Sequence, residues 1–312
     1  MAKYLVILNP TADRGKAATC EPAIHELFKK YELDYQLVLT QYIGHAIELT
    51  AKALADGVPY IIAGGGDGTA NEVINGMILE KNATGRTAVL GVLPVGRGDD
   101  FAFSMGVPTE SLEESVAAIA AGVTRKIDIG LATSDLYPKG RYFGNGVGTG
   151  FDAVVGFVAA RNKVLRGFAS YLWAALKTIL LYYRAPQVKI ELDHETLDLP
   201  AIMISTMNGI RLGGTFFIAP ESQPGDGLLN ICIVRQVSRP RMLQLLLSFM
   251  KGTQYEDPAV IAKKSRKVII TTENGALPTH MDGETLSVEG KQISIELFPQ
   301  QIDIIVNPKG AA

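Results

Sequence analysis

The chain has 312 residues, 30 Lys+Arg against 32 Asp+Glu for a formal net charge of −2, 47% hydrophobic residues and two cysteines. That hydrophobic content excludes a disordered chain, and 32 glycines without a three-residue period exclude collagen. At about 100–200 residues per domain, the length predicts two domains with cores of their own.

The opening MAKYLVILNP reads as a first strand, not a signal peptide. From there short apolar runs alternate with longer amphipathic ones: Tyr4–Leu8, Ala17–Lys30, Tyr35–Leu39, His45–Ala55, Tyr60–Ala63, Ala70–Leu79 and Val89–Leu93. Strand and helix periods taking turns predict βα units on a parallel sheet. Beyond about Lys126 the pattern changes to alternating strands, Lys189–Leu192, Ala201–Thr206, Leu228–Val234, Lys267–Thr272 and Gln292–Phe298, which predicts an antiparallel, β-rich second domain. Two helical passages interrupt it, Asp152–Tyr183 with a break near Gly167, and Arg239–Met250 with Pro240 in its first turn. The boundary is placed at residue 130, so that 1–130 and 131–301 form the two domains, with 302–312 expected to return to the first as an added strand.

The longest apolar stretch, Phe168–Tyr183, is interrupted by Lys177 and falls short of the roughly 20 residues of a membrane-spanning helix. Cys20 and Cys232 fit neither a disulfide framework nor a zinc-ligand pair, which points to a reducing, cytoplasmic compartment. Residues 1–152 hold 13 basic and 18 acidic residues, 153–312 hold 17 and 14, and neither Ala153–Ile190 nor Gly227–Tyr255 contains an acidic residue. Solvated helix faces and attraction to a phosphate-bearing ligand or an anionic membrane are both open readings. No nucleic-acid partner is expected, and a homodimer is one open option.

The strongest local signal is Gly64-Gly65-Gly66-Asp67-Gly68-Thr69, set between the strand Tyr60–Ala63 and the helical run Ala70–Leu79. Glycines there let backbone N–H groups approach a phosphate, and a helix N-terminus adds partial positive charge. The spacing is neither GxGxxG nor a P-loop ending. A carboxylate repels a bare phosphate, so Asp67 suggests a Mg²⁺ held between it and a nucleotide; the alternative is a helix cap. Asn9-Pro10-Thr11-Ala12-Asp13-Arg14-Gly15-Lys16 follows the first strand, where Lys16 either points at phosphate or simply starts a helix. Leu93-Pro94-Val95-Gly96-Arg97-Gly98-Asp99-Asp100-Phe101-Ala102 is a third strand, glycine turn and helix. The turns follow C-terminal strand ends, which places three loops along one rim of the sheet. His25, His45, His194 and His280 do not cluster as metal ligands; His45 begins a helix, and His280 either borders a pocket or is structural.

Taken in order, NPTADRGK, GGGDGT followed by ANEVING, LPVGRGDDFA and His280-Met281-Asp282-Gly283-Glu284 resemble the diacylglycerol kinase catalytic-domain family, in particular the soluble bacterial lipid kinases. These are similar in nucleotide-binding architecture to NAD kinases and phosphofructokinases, and the resemblance covers nearly the whole chain. It implies an α/β protein with an N-terminal Rossmann-like parallel sheet carrying a NAD kinase/phosphofructokinase-like nucleotide loop, plus a C-terminal antiparallel β-sandwich. The implied activity is transfer of the γ-phosphate of ATP, with Mg²⁺, to the hydroxyl of a diacylglycerol-like lipid at a membrane surface.

By the same resemblance Thr40, Gly65, Gly66, Asp67, Gly68, Thr69, Ala70 and Asn71 match ATP-contacting positions, with Asp67 close to the catalytic Mg²⁺. Asp226 matches an acidic ligand of a structural Mg²⁺, Gln223 and Leu228 match its carbonyl ligands, and Glu284 matches the catalytic carboxylate. A carboxylate within reach of a lipid hydroxyl can take its proton as attack proceeds, which makes Glu284 the general base; alone, Asp282-Gly283 would read as a hairpin turn. Lys16 and Arg166 are candidates for charge on the transferring phosphate. Where relatives read G-T-x-N-D-F-A, this chain has Arg97 and Asp99: Arg97 either adds a charge-assisted phosphate contact or folds onto Asp99 or Asp100. A kinase for a soluble acceptor such as NAD and a nucleotide-binding regulatory protein are the alternatives.

Overall fold

The computed structural model describes residues 2–161 and 167–308. The chain divides into two compact units, Met1–Asp128 with Gln300–Ala312, and Ile129–Pro299.

The first unit is built from β1 (Tyr4–Leu8), α1 (Glu21–Lys30), β2 (Tyr35–Leu39), α2 (His45–Ala55), β3 (Tyr60–Gly65), α3 (Asp67–Thr84), β4 (Val89–Pro94), α4 (Asp100–Ser104) and α5 (Leu112–Ala121). Its strands run in parallel in the order β2-β1-β3-β4. Every residue of β1, YLVIL, is buried, as expected of a parallel strand covered on both faces. Tyr4, Val6, Leu8, Ile24, Phe28, Ile62, Leu93, Val116 and Ile119 share one core. The end of a last long strand extends the sheet, with Asp303 opposite Val89 and Ile304 opposite Leu90 in parallel register. Helix α5 shows the capping chemistry well: Ser111 Oγ accepts the N–H of Glu114, and left-handed Gly122 closes the other end.

The first helix differs from expectation. Instead of one run from Ala17, 3₁₀ turns span Ala12–Cys20 and the α-helix starts at Glu21, with Pro22 in its first turn. Asp13, Arg14 and Gly15 all have positive φ, and three left-handed residues in a row cannot continue a right-handed helix.

The second unit begins in β5 (Thr124–Thr133) and continues through β6 (Arg141–Phe143), β7 (Gly146–Gly150), α6 (Phe151–Arg161), α7 (Gly167–Leu181), β8 (Gln187–Glu191), β9 (Thr196–Met207), β10 (Leu229–Arg235), α8 (Arg239–Lys251), β11 (Val260–Ser265), β12 (Lys267–Thr271), β13 (Thr279–Met281), β14 (Glu284–Ser287) and β15 (Gln292–Ile305), the long strand whose end joins the first sheet. One antiparallel layer runs β14-β13-β7-β9-β10-β11 and another runs through β8, β12 and β15. Strand β9 is longer than predicted because it serves both: its first half pairs with β8 and its second with β7 and β10. Val188, Ile190, Val268, Ile270, Ile293 and Ile295 pack against Val147, Ile204, Ile231, Ile233 and Leu286 in one core, which makes this unit a β-sandwich. The opposite face of the first layer, with Ile202, Met203, Met207, Cys232 and Val234, is covered by residues of α6, α7 and α8. Among the described residues no helix is long and apolar enough to cross a membrane.

Candidate active site

In the first unit the glycine loops after β3 and β4 meet back to back. A methyl group on Gly96 would stand 2.3 Å from the Cα of Gly66, so this position must be glycine for the loops to touch, and a methyl group on Gly66 would be tight at 3.2 Å from the Cα of Gly96. Gly66 caps α3, and its carbonyl accepts the N–H groups of Thr69 and Ala70 at 3.0 and 3.1 Å. An 18-residue helix thus opens on the Gly66–Gly68 turn, with its orphan N–H groups at the loop.

Asp67 reaches across to the neighbouring loop. Its Oδ1 accepts the N–H of Phe101 at 2.8 Å, so the carboxylate from one glycine loop caps the short helix that follows the other. Its second oxygen converges with Asp100, a buried carboxylate that the sequence reading quoted within a motif but did not single out. A methyl group on Gly98 would lie 3.2 Å from Asp100 Oδ2 and 3.4 Å from Asp67 Oδ2. Two carboxylates facing one glycine form oxygen donors of the kind that suits the Mg²⁺ carried by a nucleotide. Asp99, left-handed at φ 50°, turns inward, and its Oδ1 accepts the N–H of Gly96 at 3.0 Å. Arg97 is exposed and is paired with neither Asp99 nor Asp100 among the described residues.

The other predicted nucleotide residues fall around this loop in different ways. Thr69 Oγ1 accepts from Asn9 Nδ2 at 3.1 Å, which ties the first loop to the second. Asn9 heads the first-loop motif, but its sequence alone does not show this link to Thr69. Ala70 and Asn71 are buried in α3, where Asn71 Oδ1 accepts from Asn75 Nδ2. Thr40 directly follows β2, with its N–H on the Leu8 carbonyl. The loop beyond it is anchored by buried Glu72 of α3, whose two oxygens accept the N–H groups of Gly44 and Ala46. Lys16 is exposed. Arg166 lies outside the described residues.

In the second unit Asp282-Gly283 form the hairpin turn between β13 and β14, with φ of 45° and 85° and Met281 opposite Glu284. Asp282 is buried and structural: its carboxylate accepts the N–H groups of Gly144, Asn145 and Gly146 at 2.8, 3.1 and 2.9 Å. Glu284, directly after the turn, is partly exposed, and its Oε2 lies 2.8 Å from Arg141 Nη2. Arg141 carries no motif and was missed, because only the fold brings it to the hairpin.

A second polar cluster lies on the same layer. His280, Gly148 and Ser205 stand in one row across β13, β7 and β9. Gly148 leaves room for the Asp152 carboxylate, which accepts from Ser205 Oγ and from the N–H of Ala153. His280 Nε2 is 4.0 Å from Asp152 Oδ2. Burial pushes the Asp152 carboxyl up to about 7 and the His280 imidazole down to about 4. Burial likewise pushes the Cys232 thiol up to about 12, which makes it an inert packing residue.

The residues of the metal set, Gln223, Asp226 and Leu228, lie in one turn directly ahead of β10. The Gln223 carbonyl accepts the N–H groups of Gly225 and Asp226 at 2.7 and 3.1 Å, and Asp226 Oδ1 accepts the N–H of Leu228. Asp226 Oδ2 faces the Lys264 ammonium at 3.6 Å.

Two family descriptions match. Residues 3–132 match the diacylglycerol kinase catalytic domain, and residues 145–306 match the YegS C-terminal NAD kinase beta sandwich-like domain. The chain belongs to the diacylglycerol kinase catalytic-domain family. It is similar to the diacylglycerol kinase of Bacillus subtilis (strain 168), 27% identical over 288 residues that cover 91% of this chain and 90% of that protein. In fold it resembles a diacylglycerol kinase from Bacillus anthracis str. Sterne, with a TM-score of 0.71 at 23% identity, covering 99% of this chain and 98% of the other. It also resembles, in fold alone, an NAD kinase from Archaeoglobus fulgidus in complex with ATP, with a TM-score of 0.52 at 14% identity, covering 98% and 94%. The family is one of kinases, and the sandwich of the second unit is the one its C-terminal description names.

Proposed function

We propose that this member of the lipid kinase family transfers the γ-phosphate of Mg·ATP to the hydroxyl of a diacylglycerol-like lipid. The observation that carries the reading is the convergence of Asp67 and Asp100 on Gly98, where the two glycine loops meet, in a chain whose two units both match the family.

The nucleotide phosphates lie against the Gly66–Gly68 backbone and the N-terminus of α3. Mg²⁺, bound with the nucleotide, supplies charge neutralisation at the phosphates, and Asp67 and Asp100 are the residues that would hold it. Glu284 takes the proton of the lipid hydroxyl as its oxygen attacks the γ-phosphorus, and ADP leaves. Lys16, Arg97 and Arg166 remain the cationic candidates for phosphate contact, and the side chains of Lys16 and Arg97 are exposed.

A diacylglycerol-like acceptor resides in a bilayer, so the enzyme works from its surface, on the cytoplasmic side. Trp173, Leu176 and Leu180 of α7 and Leu243 and Leu247 of α8 are exposed, and these two helices pack together. Lys177 lies over the Trp173 ring at 4.8 Å, and no acidic residue interrupts either helix. An apolar face edged with cations suits an anionic membrane surface.

The reading is tested by transfer of labelled γ-phosphate from Mg·ATP to a panel of detergent-dispersed lipids, with NAD and no-acceptor lanes beside them. Labelled diacylglycerol supports it; label on NAD alone replaces it with a soluble-acceptor kinase.

A further inference from the structure

We propose that Arg141 is the positioning residue for Glu284, and that its guanidinium aims the carboxylate that takes the acceptor proton. The inference rests on the reading of Glu284 as the base.

Arg141 opens β6 and Glu284 opens β14, and their side chains meet at 2.8 Å with only 14% and 26% of each exposed. The guanidinium is itself held: it lies over the Tyr137 ring, 5.6 Å from its centre, and Nη1 donates to the Tyr137 hydroxyl at 3.4 Å. Its backbone is fixed by pairing with Ala132 of β5. A few residues on, the same segment offers the N–H groups of Gly144, Asn145 and Gly146 to Asp282. Residues 141–146 therefore grip both carboxylates of the Asp282-Gly283-Glu284 turn, one through the backbone and one through a side chain.

The grip matters because a glutamate has three soft torsions, whereas a general base must hold one oxygen within hydrogen-bond reach of the reacting proton. An exposed ion pair would not restrain it. This pair is mostly buried, stacked on one side and set beside a rigid turn, and Arg offers a planar fork to the carboxylate. With Oε2 on Arg141, the orientation of the whole carboxylate is fixed. In the step itself the hydroxyl proton passes to Glu284, the hydroxyl oxygen forms a bond to the γ-phosphorus, and the bond from that phosphorus to the bridging oxygen breaks with its electron pair leaving on ADP. Arg141 neither gives nor takes a proton.

The test is steady-state kinetics of wild type, Arg141→Met, Arg141→Lys and Glu284→Gln with Mg·ATP and detergent-dispersed diacylglycerol, with thermal melts alongside. Arg141→Met is expected to lower kcat about 100-fold, the cost of a misplaced reacting group, with KM for ATP unchanged. Arg141→Lys or added guanidinium is expected to restore part of the loss, and Arg141→Met is expected to cost nothing further in the Glu284→Gln background. Full kcat in Arg141→Met beside an inactive Glu284→Gln overturns the inference and leaves the base in place. A loss that tracks a lowered melting temperature and resists both rescues also overturns it, since Arg141 would then be a structural clamp. Full activity in Glu284→Gln removes the base reading itself.

Discussion

Asp282 and Glu284 stand two residues apart, and their surroundings give them opposite uses. Asp282 is buried and satisfies three backbone N–H groups. Asp282→Ala leaves those groups without an acceptor, at ~1–3 kcal/mol each before relaxation, so urea denaturation is expected to show a loss of about 3–5 kcal/mol. The pair Asp152 and His280 makes a prediction about pH. Burial raises the Asp152 carboxyl to about 7, above its ordinary 3.8, so the folded state holds that proton and stability declines as pH rises through this window. Burial lowers His280 from 6.5 to about 4, so stability declines as pH falls from 6.5 towards 4. The two slopes oppose each other over most of the same range. Asp152→Asn is expected to unmask stability that rises with pH between about 4 and 6.5, and His280→Asn stability that falls with pH up to about 7, read from denaturation midpoints at successive pH values. Equal profiles in both variants would contradict the assignment.

At the scale of elements, the glycine loops are defined by contact as much as by conformation. Gly96→Ala forces a methyl group against the Gly66 backbone and is expected to separate the loops, weakening ATP binding at least tenfold (~1.4 kcal/mol) by calorimetry. Unchanged affinity would show that the loops do not act together. The parallel sheet was legible in the sequence because its strands read as short apolar runs between longer amphipathic ones: the buried Tyr4–Leu8, the edge strand Tyr35–Leu39 and the helix His45–Ala55 fall where the pattern placed them. The strand Gly146–Gly150, GVGTG, was not, since it has little side chain to show a period and is defined by its neighbours. The same holds within the site. The glycine loops announce themselves by composition, whereas the contacts of Arg141, Asn9 and the Asp152–His280 cluster join residues distant in sequence, and no local pattern shows those contacts.

For the molecule as a whole, the balanced net charge conceals an acid-free apolar surface on α7 and α8. Leu180 and Leu247 are 67% and 58% exposed, a cost that a soluble surface alone does not explain. The protein is expected to sediment with phosphatidylglycerol vesicles more than with phosphatidylcholine vesicles, and Leu180→Glu with Leu247→Glu is expected to abolish this while sparing turnover on detergent-dispersed acceptor. Equal sedimentation of the variant would assign membrane contact to another face. The central claim is that this family member moves phosphate to a lipid hydroxyl with Glu284 as base. The most direct measurement is labelled γ-phosphate transfer to diacylglycerol by wild type and Glu284→Gln, with ATP affinity measured on both. The account predicts labelled lipid from wild type, and in Glu284→Gln a rate lower by about 10²–10⁴-fold at unchanged ATP affinity. Wild-type turnover in Glu284→Gln, or label that passes to NAD and never to lipid, would contradict it.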